Sequence, residues 1–146
     1  MAVTNKWYKP AFTSTFNKEA LWTTDTVKCQ LHTVTYSVNQ DTHRYRSDLT
    51  NELTTAGGYT AGGITISALT ALTGTSLVYG LDSATDPSWN PATFTCRYAI
   101  NMDTTPGTDA TRPLLNYVDF GADQSPSAVQ FQIQWAAAGI VQVTCS

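Results

Sequence analysis

The feature that most constrains the fold of this chain is a strict alternation of apolar and polar residues near its C-terminus. Glutamines occupy positions 130, 132 and 134, and the positions around them are apolar: Val129, Phe131, Ile133 and Trp135. Successive side chains of a β-strand point to opposite faces, so this pattern predicts a strand that is buried on one face. Segments 27–34 and 93–102 alternate in the same way.

Four more segments, each bounded by turn residues, predict short strands: 63–69, 76–81, 114–120 and 140–145. The chain also contains 25 threonines, and β-branched residues suit a half-exposed sheet better than a helix. We therefore expect an all-β protein, a single-domain antiparallel β-sandwich or compact barrel of about seven to nine strands.

Three connections between these strands carry residues that are typical of turns. Segment 136–139 predicts a hairpin loop, and segment 103–112 predicts an exposed hairpin tip around a Pro-Gly pair. Segment 82–92 predicts a third polar loop, with Trp89 between two prolines. A tryptophan in such a loop either closes the end of the core or contacts a partner.

The first 26 residues are rich in aromatic side chains but lack strand alternation. We expect residues 1–26 to form an irregular N-terminal arm with short helical turns, one of them after Pro10, and residues 27–146 to form the β domain. Another helical turn is predicted around residues 45–53. An arm of this kind buries its aromatic residues either against its own domain or against a neighbour. We expect that removal of residues 2–22 leaves a folded domain that no longer joins its assembly. The predicted interface residues are Trp7, Tyr8, Phe12, Phe16, Trp22, Arg44, Arg46 and Trp89.

The charge and cysteine content argue against several function classes. A net charge of −3 with scattered basic residues predicts no nucleic-acid partner. The three cysteines form no C-x-x-C motif and are odd in number, so we expect buried, reduced thiols in a protein assembled in the cytosol. No segment approaches about 18 uninterrupted apolar residues, which predicts neither a signal peptide nor a membrane span.

No catalytic constellation is visible in the sequence. Asp119-Phe120-Gly121 matches the DFG motif of protein kinases, but the phosphate loop, strand lysine and H-R-D loop of that family are missing. The glycine-rich segment 57–63 lacks the P-loop lysine and predicts a bend at which two backbones approach closely. The paired acids of a glycosidase are unsupported, and the G-x-S-x-G nucleophile motif does not occur. We expect no enzymatic activity and no cofactor.

A metal site has similarly weak support. His32 is predicted on the polar face of a strand and His43 in a loop, and neither has a partner at ligand spacing. We therefore expect no metal, although two pairs of acids leave a weak calcium site open: Asp119 with Asp123, and Asp82 with Asp86.

Five segments together resemble a known group of proteins: NKWYKP at 5–10, NQDTH at 39–43, GYTAGG at 58–63, RYAI at 97–100 and PLLNYVDFG at 113–121. In these segments, which span most of its length, the chain is similar to small virion proteins of tailed bacteriophages. The most distinctive parts of the resemblance are the tyrosine-glycine segment and YVDFG.

The resemblance implies a non-enzymatic structural protein with contact surfaces and no catalytic residues. It does not distinguish a head protein from a tail protein; our expectation is a capsid decoration protein in the virion, assembled in the cytoplasm of the bacterial host. Its partners would be the major capsid protein and copies of itself in a homo-oligomer, without nucleic acid or membrane. Two alternatives stay open. One is a minor tail protein or receptor- or glycan-binding tail module that uses an exposed Trp89 and loop 103–112; the other is a small hydrolase that uses Asp119 or Asp123.

Overall fold

The fold is given by a computed structural model that describes residues 2–67, 69–73 and 77–144. These residues contain one α-helix, α1 (Lys9–Phe16), and a single turn of 3-10 helix at Arg46–Asp48. The helical turn expected around residues 45–53 is thus limited to three residues. The strands are β1 (Thr4–Trp7), β2 (Val27–His32), β3 (Ile64–Thr65), β4 (Leu69–Thr73), β5 (Val78–Ser83), β6 (Ser88–Thr93), β7 (Cys96–Asp103), β8 (Leu114–Gln124), β9 (Ser127–Gln132) and β10 (Val141–Thr144). The prediction of an all-β fold is confirmed.

The centre of the domain is a five-stranded antiparallel sheet in the order β1-β8-β7-β2-β3. Its longest strands, β7 and β8, pair as a hairpin, and residues 107–111 between them are exposed, which confirms the predicted hairpin tip. Strand β2 is largely buried on both faces because further layers cover the sheet on each side. His32, which was expected on a polar face, is therefore fully buried.

Two smaller sheets, β10-β5-β4 and β6-β9, contribute to the core on one face of the central sheet. Between these layers lies what we call the front core, whose most buried side chains include Cys29, Leu31, Ala92, Cys96 and Ala99. Both cysteines are small buried hydrophobes, as expected, while Cys145 lies outside the described residues. This arrangement corresponds to the sandwich form of the predicted fold.

The opposite face of the central sheet packs against α1 and the segment after β2. Here Tyr8 and Ala11 are fully buried against Ile100 and Met102 in a second cluster, the back core. Strand β1 pairs with β8 at the edge of the central sheet. Residues 2–26, expected as an irregular arm, thus provide an edge strand and a core helix to the β domain. The sequence TNKW of β1 has no apolar alternation that would have revealed it.

Several predicted elements have different boundaries in the structure. Strands are found within 27–34, 63–69, 76–81, 93–102, 114–120 and 140–145, but positions 68, 76 and 145 lie outside the described residues. Segment 82–92 is not one polar loop, because β6 begins at Ser88. Strand β6 tolerates Pro91 because it pairs irregularly, in a sheet of two strands. Segment 136–139 is not a hairpin loop, since it joins β9 and β10 of different sheets.

The glycine-rich segment 57–63 forms the bend that the sequence predicts. A Cβ atom on Gly57 would lie 1.8 Å from the carbonyl oxygen of Thr93, and one on Gly58 would lie 2.1 Å from that of Pro91. Only glycine permits two backbones to come this close. The bend also buries the neighbouring Tyr59, whose hydroxyl donates to the carboxylate of Glu52 at 2.8 Å.

Candidate functional site

Most of the aromatic residues predicted to contact a partner are built into the domain. Tyr8 is fully buried and Trp89 is 5% exposed, so neither side chain is available at the surface. Trp89 packs against Phe131 with ring centroids 5.9 Å apart, and so closes the front core. Trp7 and Trp22 are half-buried against the same core.

Both predicted interface arginines are already paired within the chain. Arg44 donates to the two carboxylate oxygens of Glu19 at 2.9 and 3.0 Å, and Arg46 donates to Glu52 at 2.7 Å. Because Glu19 follows α1 and Arg44 lies in the segment that covers the back core, the first pair ties these two parts together. Both pairs neutralise the positive charge that an acidic partner would need.

The exposed apolar side chains near the N-terminus define the candidate site. Phe12 and Phe16 lie one turn apart on α1 and are 43% and 84% exposed, and Leu21 after the helix is 47% exposed. Tyr79 on β5 is exposed as well, and it lines one cavity together with Leu21. We call these four side chains the apolar surface. Large apolar groups grouped in this way are typical of interaction sites.

A cavity of about 210 Å³ lies beside the apolar surface. It is walled mainly by apolar and aromatic side chains: Trp7, Ala20, Trp22, Val27, Leu81 and Leu115. The Trp22 ring has a fixed position because its Nε1 donates to the carbonyls of Thr70 and Asp82 at 3.2 and 3.1 Å. The Trp7 ring packs against Phe12 with centroids 5.6 Å apart, which connects the cavity wall to the apolar surface.

Two carboxyl groups, those of Asp25 and Asp103, also line the cavity. Strand pairing sets Asp103 opposite Val27, only two residues beyond Asp25. Asp25 accepts a hydrogen bond from the backbone of Leu21 at 2.6 Å, and Oδ1 of Asp103 accepts one from the backbone of Thr105 at 2.8 Å. Burial and the nearby charge of Asp25 raise the pKa of Asp103 above its usual value.

Two polar atoms of residues that line the cavity are buried without a hydrogen-bond partner in the protein. They are Oδ2 of Asp103, in a residue that is 1% exposed, and the donor Nε1–H of Trp7. Unpaired buried polar groups cost free energy and are uncommon in folded domains. Because both atoms are buried, neither is exposed on the surface of the cavity.

The DFG segment is a structural element of the central sheet. Asp119 accepts a hydrogen bond from Nε of Arg97 at 2.7 Å and another from the backbone of Gly121 at 2.8 Å. Partial burial would raise the pKa of Asp119, but the hydrogen bonds from Arg97 and Gly121 outweigh it and lower the pKa. Strand β8 continues through Gly121 to Gln124, so the segment does not end the strand as a catalytic or metal-binding loop would.

Within residues 2–67, 69–73 and 77–144, no three or more His, Cys, Asp or Glu side chains converge as a metal site. Burial raises the pKa of Cys96 to about 12, so this thiol is a poor nucleophile and a poor metal ligand. In the same part of the chain, no helix is long and apolar enough to cross a membrane.

His32, the last residue of β2, is a buried titratable group that contacts the segment around Thr50. Its Nδ1–H donates to the carbonyl of Thr50 at 2.7 Å, and its Nε2 is buried without a partner. Burial lowers the pKa of His32 to about 4. The folded domain therefore holds a neutral imidazole.

We expect the domain to lose stability in acid through His32. In the unfolded chain this residue takes up a proton below pH of about 6.5, whereas the folded domain resists protonation down to about 4. The difference amounts to about 3 kcal/mol, lost progressively across this window. Urea unfolding should be measured at several pH values for the wild type and for His32→Gln. The variant should show the smaller loss, and equal losses in both proteins would contradict the assignment.

Asp103 changes the stability of the domain with pH in the opposite direction to His32. The wild type must therefore be compared with His32→Gln to isolate the effect of His32. Its pKa is raised, so its contribution to stability is present in acid and is lost as the pH rises above the value of the unfolded chain. Because both proteins contain Asp103, the difference between their pH profiles reports His32 alone.

The fold and the site define a small all-β domain that carries an exposed apolar surface beside a cavity. No family model matches the chain, and neither a curated protein nor a solved structure is significantly similar to it.

Sequence reasoning found part of this site and missed the rest. The four-residue spacing of Phe12 and Phe16 predicted that both lie on one helix face, and both are exposed. Asp25 and Asp103 carried no signal, because each follows or precedes a strand as an ordinary turn residue. Only the pairing of β2 with β7 brings the two carboxyl groups together. The acids considered for calcium, Asp119 with Asp123 and Asp82 with Asp86, belong to no group of three or more ligating side chains among the described residues.

Proposed function

We propose that this protein is a non-enzymatic structural component of a tailed-phage virion. It acts as a capsid decoration protein that binds the lattice of the major capsid protein and copies of itself. The observation that carries the proposal is the apolar surface of Phe12, Phe16, Leu21 and Tyr79. A side chain as exposed as Phe16, at 84%, adds little to the fold and is best explained by burial against another molecule.

The segments that resemble virion proteins support a role without catalysis, because their side chains maintain the fold. In NQDTH, the Asn39 side chain accepts hydrogen bonds from two backbone amides of its own turn, and the backbone of Gln40 binds that of Lys9. Tyr59 of GYTAGG is buried. The RYAI and YVDFG segments are joined by the ion pair of Arg97 with Asp119. A rigid domain that presents one apolar surface suits a protein that occupies many identical positions on a shell.

The proposal predicts that Phe16→Ser weakens attachment to the particle and leaves the domain folded. Loss of a central aromatic anchor should reduce occupancy by about tenfold or more at limiting protein concentration, while stability changes by less than about 0.5 kcal/mol. Binding is measured by adding purified protein to particles that lack it and determining the bound copies after sedimentation. Val129→Ser is the matched control, because Val129 is 55% exposed but lies on β9, in the two-stranded sheet.

Quantitative mass spectrometry of purified virions separates the head from the tail. A copy number comparable to that of the major capsid protein is expected for a decoration protein, and a few copies per particle would favour a minor tail protein. Absence from the virion, or equal binding by Phe16→Ser and the wild type, would refute the proposal.

The alternatives from the sequence have less support. A glycan-binding tail module was expected to use an exposed Trp89, and Trp89 is buried. A hydrolase that uses Asp119 would need a carboxylate free to exchange protons, whereas Asp119 is engaged by Arg97 and by the backbone of Gly121.

A further inference from the structure

We propose that two copies of this chain form a dimer in which Phe16 of each copy inserts into the cavity of the other. The inference rests on the proposed structural role, and it names one partner of the apolar surface, a second copy of the chain. It is carried by the shape of that surface, in which an exposed aromatic ring lies next to an apolar cavity.

The cavity has the size and the wall of a receptor for one aromatic ring. Its volume is about 210 Å³, and its wall consists mainly of apolar and aromatic side chains. An engineered apolar cavity of about 150 Å³ binds benzene, so this cavity has room for a phenyl ring. The unpaired polar atoms of Trp7 and Asp103 are already buried, so an apolar occupant takes no further solvation away from them.

Phe16 is the side chain that offers such a ring. At 84%, it is more exposed than the other large apolar side chains of the described residues. This exposure also shows that Phe16 does not fill the cavity of its own chain. Thr15 and Leu21, on either side of Phe16 in the sequence, both line the cavity. The ring and the cavity are therefore neighbours on one side of the domain.

A ring beside a cavity on one surface is self-complementary. When two copies are related by a two-fold axis, each ring can meet the cavity of the other copy, and both contacts form together. The other members of the apolar surface, Phe12, Leu21 and Tyr79, lie around this contact and are shielded from water by it. A single reciprocal contact thus accounts for the whole apolar surface.

Two charged groups at the contact are complementary. Lys18, two residues beyond Phe16, is exposed, and Asp25, in the cavity wall, is only partly buried. Neither forms an ion pair within the described residues. Insertion of Phe16 carries Lys18 of one copy towards the wall that holds Asp25 of the other, so the dimer brings opposite charges together.

The exposed area predicts that the dimer is weak in solution. If a full side chain offers roughly 200 Å², the four members of the apolar surface expose on the order of 400 Å² per copy. A standard interface buries about 800 Å² per partner. We expect a dissociation constant on the order of 10–100 µM. On a shell, where neighbouring copies are held close together, the effective concentration is higher and the contact is occupied.

Sedimentation equilibrium of the full-length protein tests the dimer over concentrations from about 1 µM to 1 mM. The wild type should pass reversibly from monomer to dimer. Phe16→Ser should weaken the dimer by about tenfold or more, because both inserted rings are lost. Val129→Ser is the matched control, since it removes an exposed apolar side chain that does not line the cavity, and it should dimerise as the wild type does.

A second variant blocks the cavity and keeps the ring. Ala20 is 4% exposed and lines the cavity, so Ala20→Leu fills space that the ring of the partner needs. This variant should also lose the dimer by about tenfold or more. If Ala20→Leu does not fold, Leu81→Phe fills the same cavity from the half-buried position 81 of β5.

Mixing the two variants separates insertion from a general loss of apolar surface. Phe16→Ser keeps an intact cavity and Ala20→Leu keeps an intact ring, so only the mixed pair can form one of the two contacts. Trp22 lines the cavity, and its indole N–H resonance is the probe in ¹⁵N-labelled Phe16→Ser. Unlabelled Ala20→Leu should shift this resonance saturably, with a dissociation constant of about millimolar order, and unlabelled Phe16→Ser should not.

Three outcomes would overturn the proposal: a wild type that stays monomeric up to about 1 mM, a dimer that Phe16→Ser leaves intact, and a Trp22 resonance that does not respond in the mixed pair. Loss of particle binding by Ala20→Leu, with a monomeric wild type, would assign the cavity to the capsid protein instead. A monomer that still binds particles would refute the dimer and leave the decoration role. A dimer that is absent from the virion would refute the decoration role and leave the dimer.

Discussion

Replacement of Gly58 by alanine is expected to prevent folding or to destabilise the domain by at least about 4 kcal/mol. The backbone at Gly58 has a φ of 88°, a conformation that side chains disfavour, and an added Cβ would lie 2.1 Å from the carbonyl oxygen of Pro91. The obstructing atom lies between Trp89 and Ala92, which both pair with β9, so it cannot move aside without disrupting the small sheet. Circular dichroism and urea unfolding of the purified variant measure the effect.

Two other glycines separate the steric clash from backbone strain. Gly62 has a φ of 99° but nothing within 4 Å of its added Cβ, so Gly62→Ala should cost only the strain, about 1–2 kcal/mol. Gly107 lies in the exposed hairpin tip without neighbours, and Gly107→Ala should change stability by less than about 0.5 kcal/mol. Equal losses from Gly58→Ala and Gly62→Ala would show that the close approach to Pro91 contributes nothing.

The second large effect is expected from Tyr8→Ala, which should cost about 3–5 kcal/mol. Tyr8 is fully buried in the back core, its ring lies 5.2 Å from that of Tyr117, and its hydroxyl is 3.0 Å from that of Tyr36. The substitution leaves a cavity and also removes one of the two hydrogen-bond partners of the Tyr36 hydroxyl, the other being His43. The loss is measured as the change in free energy of unfolding in urea.

Phe16→Ala is the matched control for Tyr8→Ala, since both remove an aromatic ring from the N-terminal segment. Phe16 is 84% exposed, so its removal should leave stability nearly unchanged. Deletion of residues 2–22 tests whether this segment belongs to the core of the domain. If it does, the deletion abolishes folding. A truncated protein that folds and unfolds cooperatively would instead support an independent arm.

The all-β class could be predicted from the sequence because period-two alternation is a local property of a strand. The run at 129–135 and the run at 93–102 overlap β9 and β7 and were found without knowledge of their partners, although β9 ends at Gln132 and Val129 is exposed. The glycine-rich bend was predictable for the same reason, since paired glycines indicate close backbone approach wherever they occur. Burial of Cys29 and Cys96 followed from their positions in apolar runs.

The site depended on contacts that join distant parts of the chain. Strand β1 exists because β8 offers it an edge, and its own residues TNKW carry no pattern. Trp89 is buried because the β6–β9 pair places it against Phe131, although its flanking prolines suggested a loop. Asp25 and Asp103 are 78 positions apart in the printed sequence and meet only through the register of β2 and β7.

The sequence by itself determined the strands that alternate or form turn-bounded apolar runs, though not β1 or β6. It also determined where the backbone bends, and that little net charge is available for binding nucleic acid. The tertiary structure alone decided which aromatic residues are core and which are surface, and it assembled the cavity from residues of distant segments. The physical reason is that alternation and glycine content act within a few residues. Burial and hydrogen-bond satisfaction depend instead on what the rest of the chain places against each side chain.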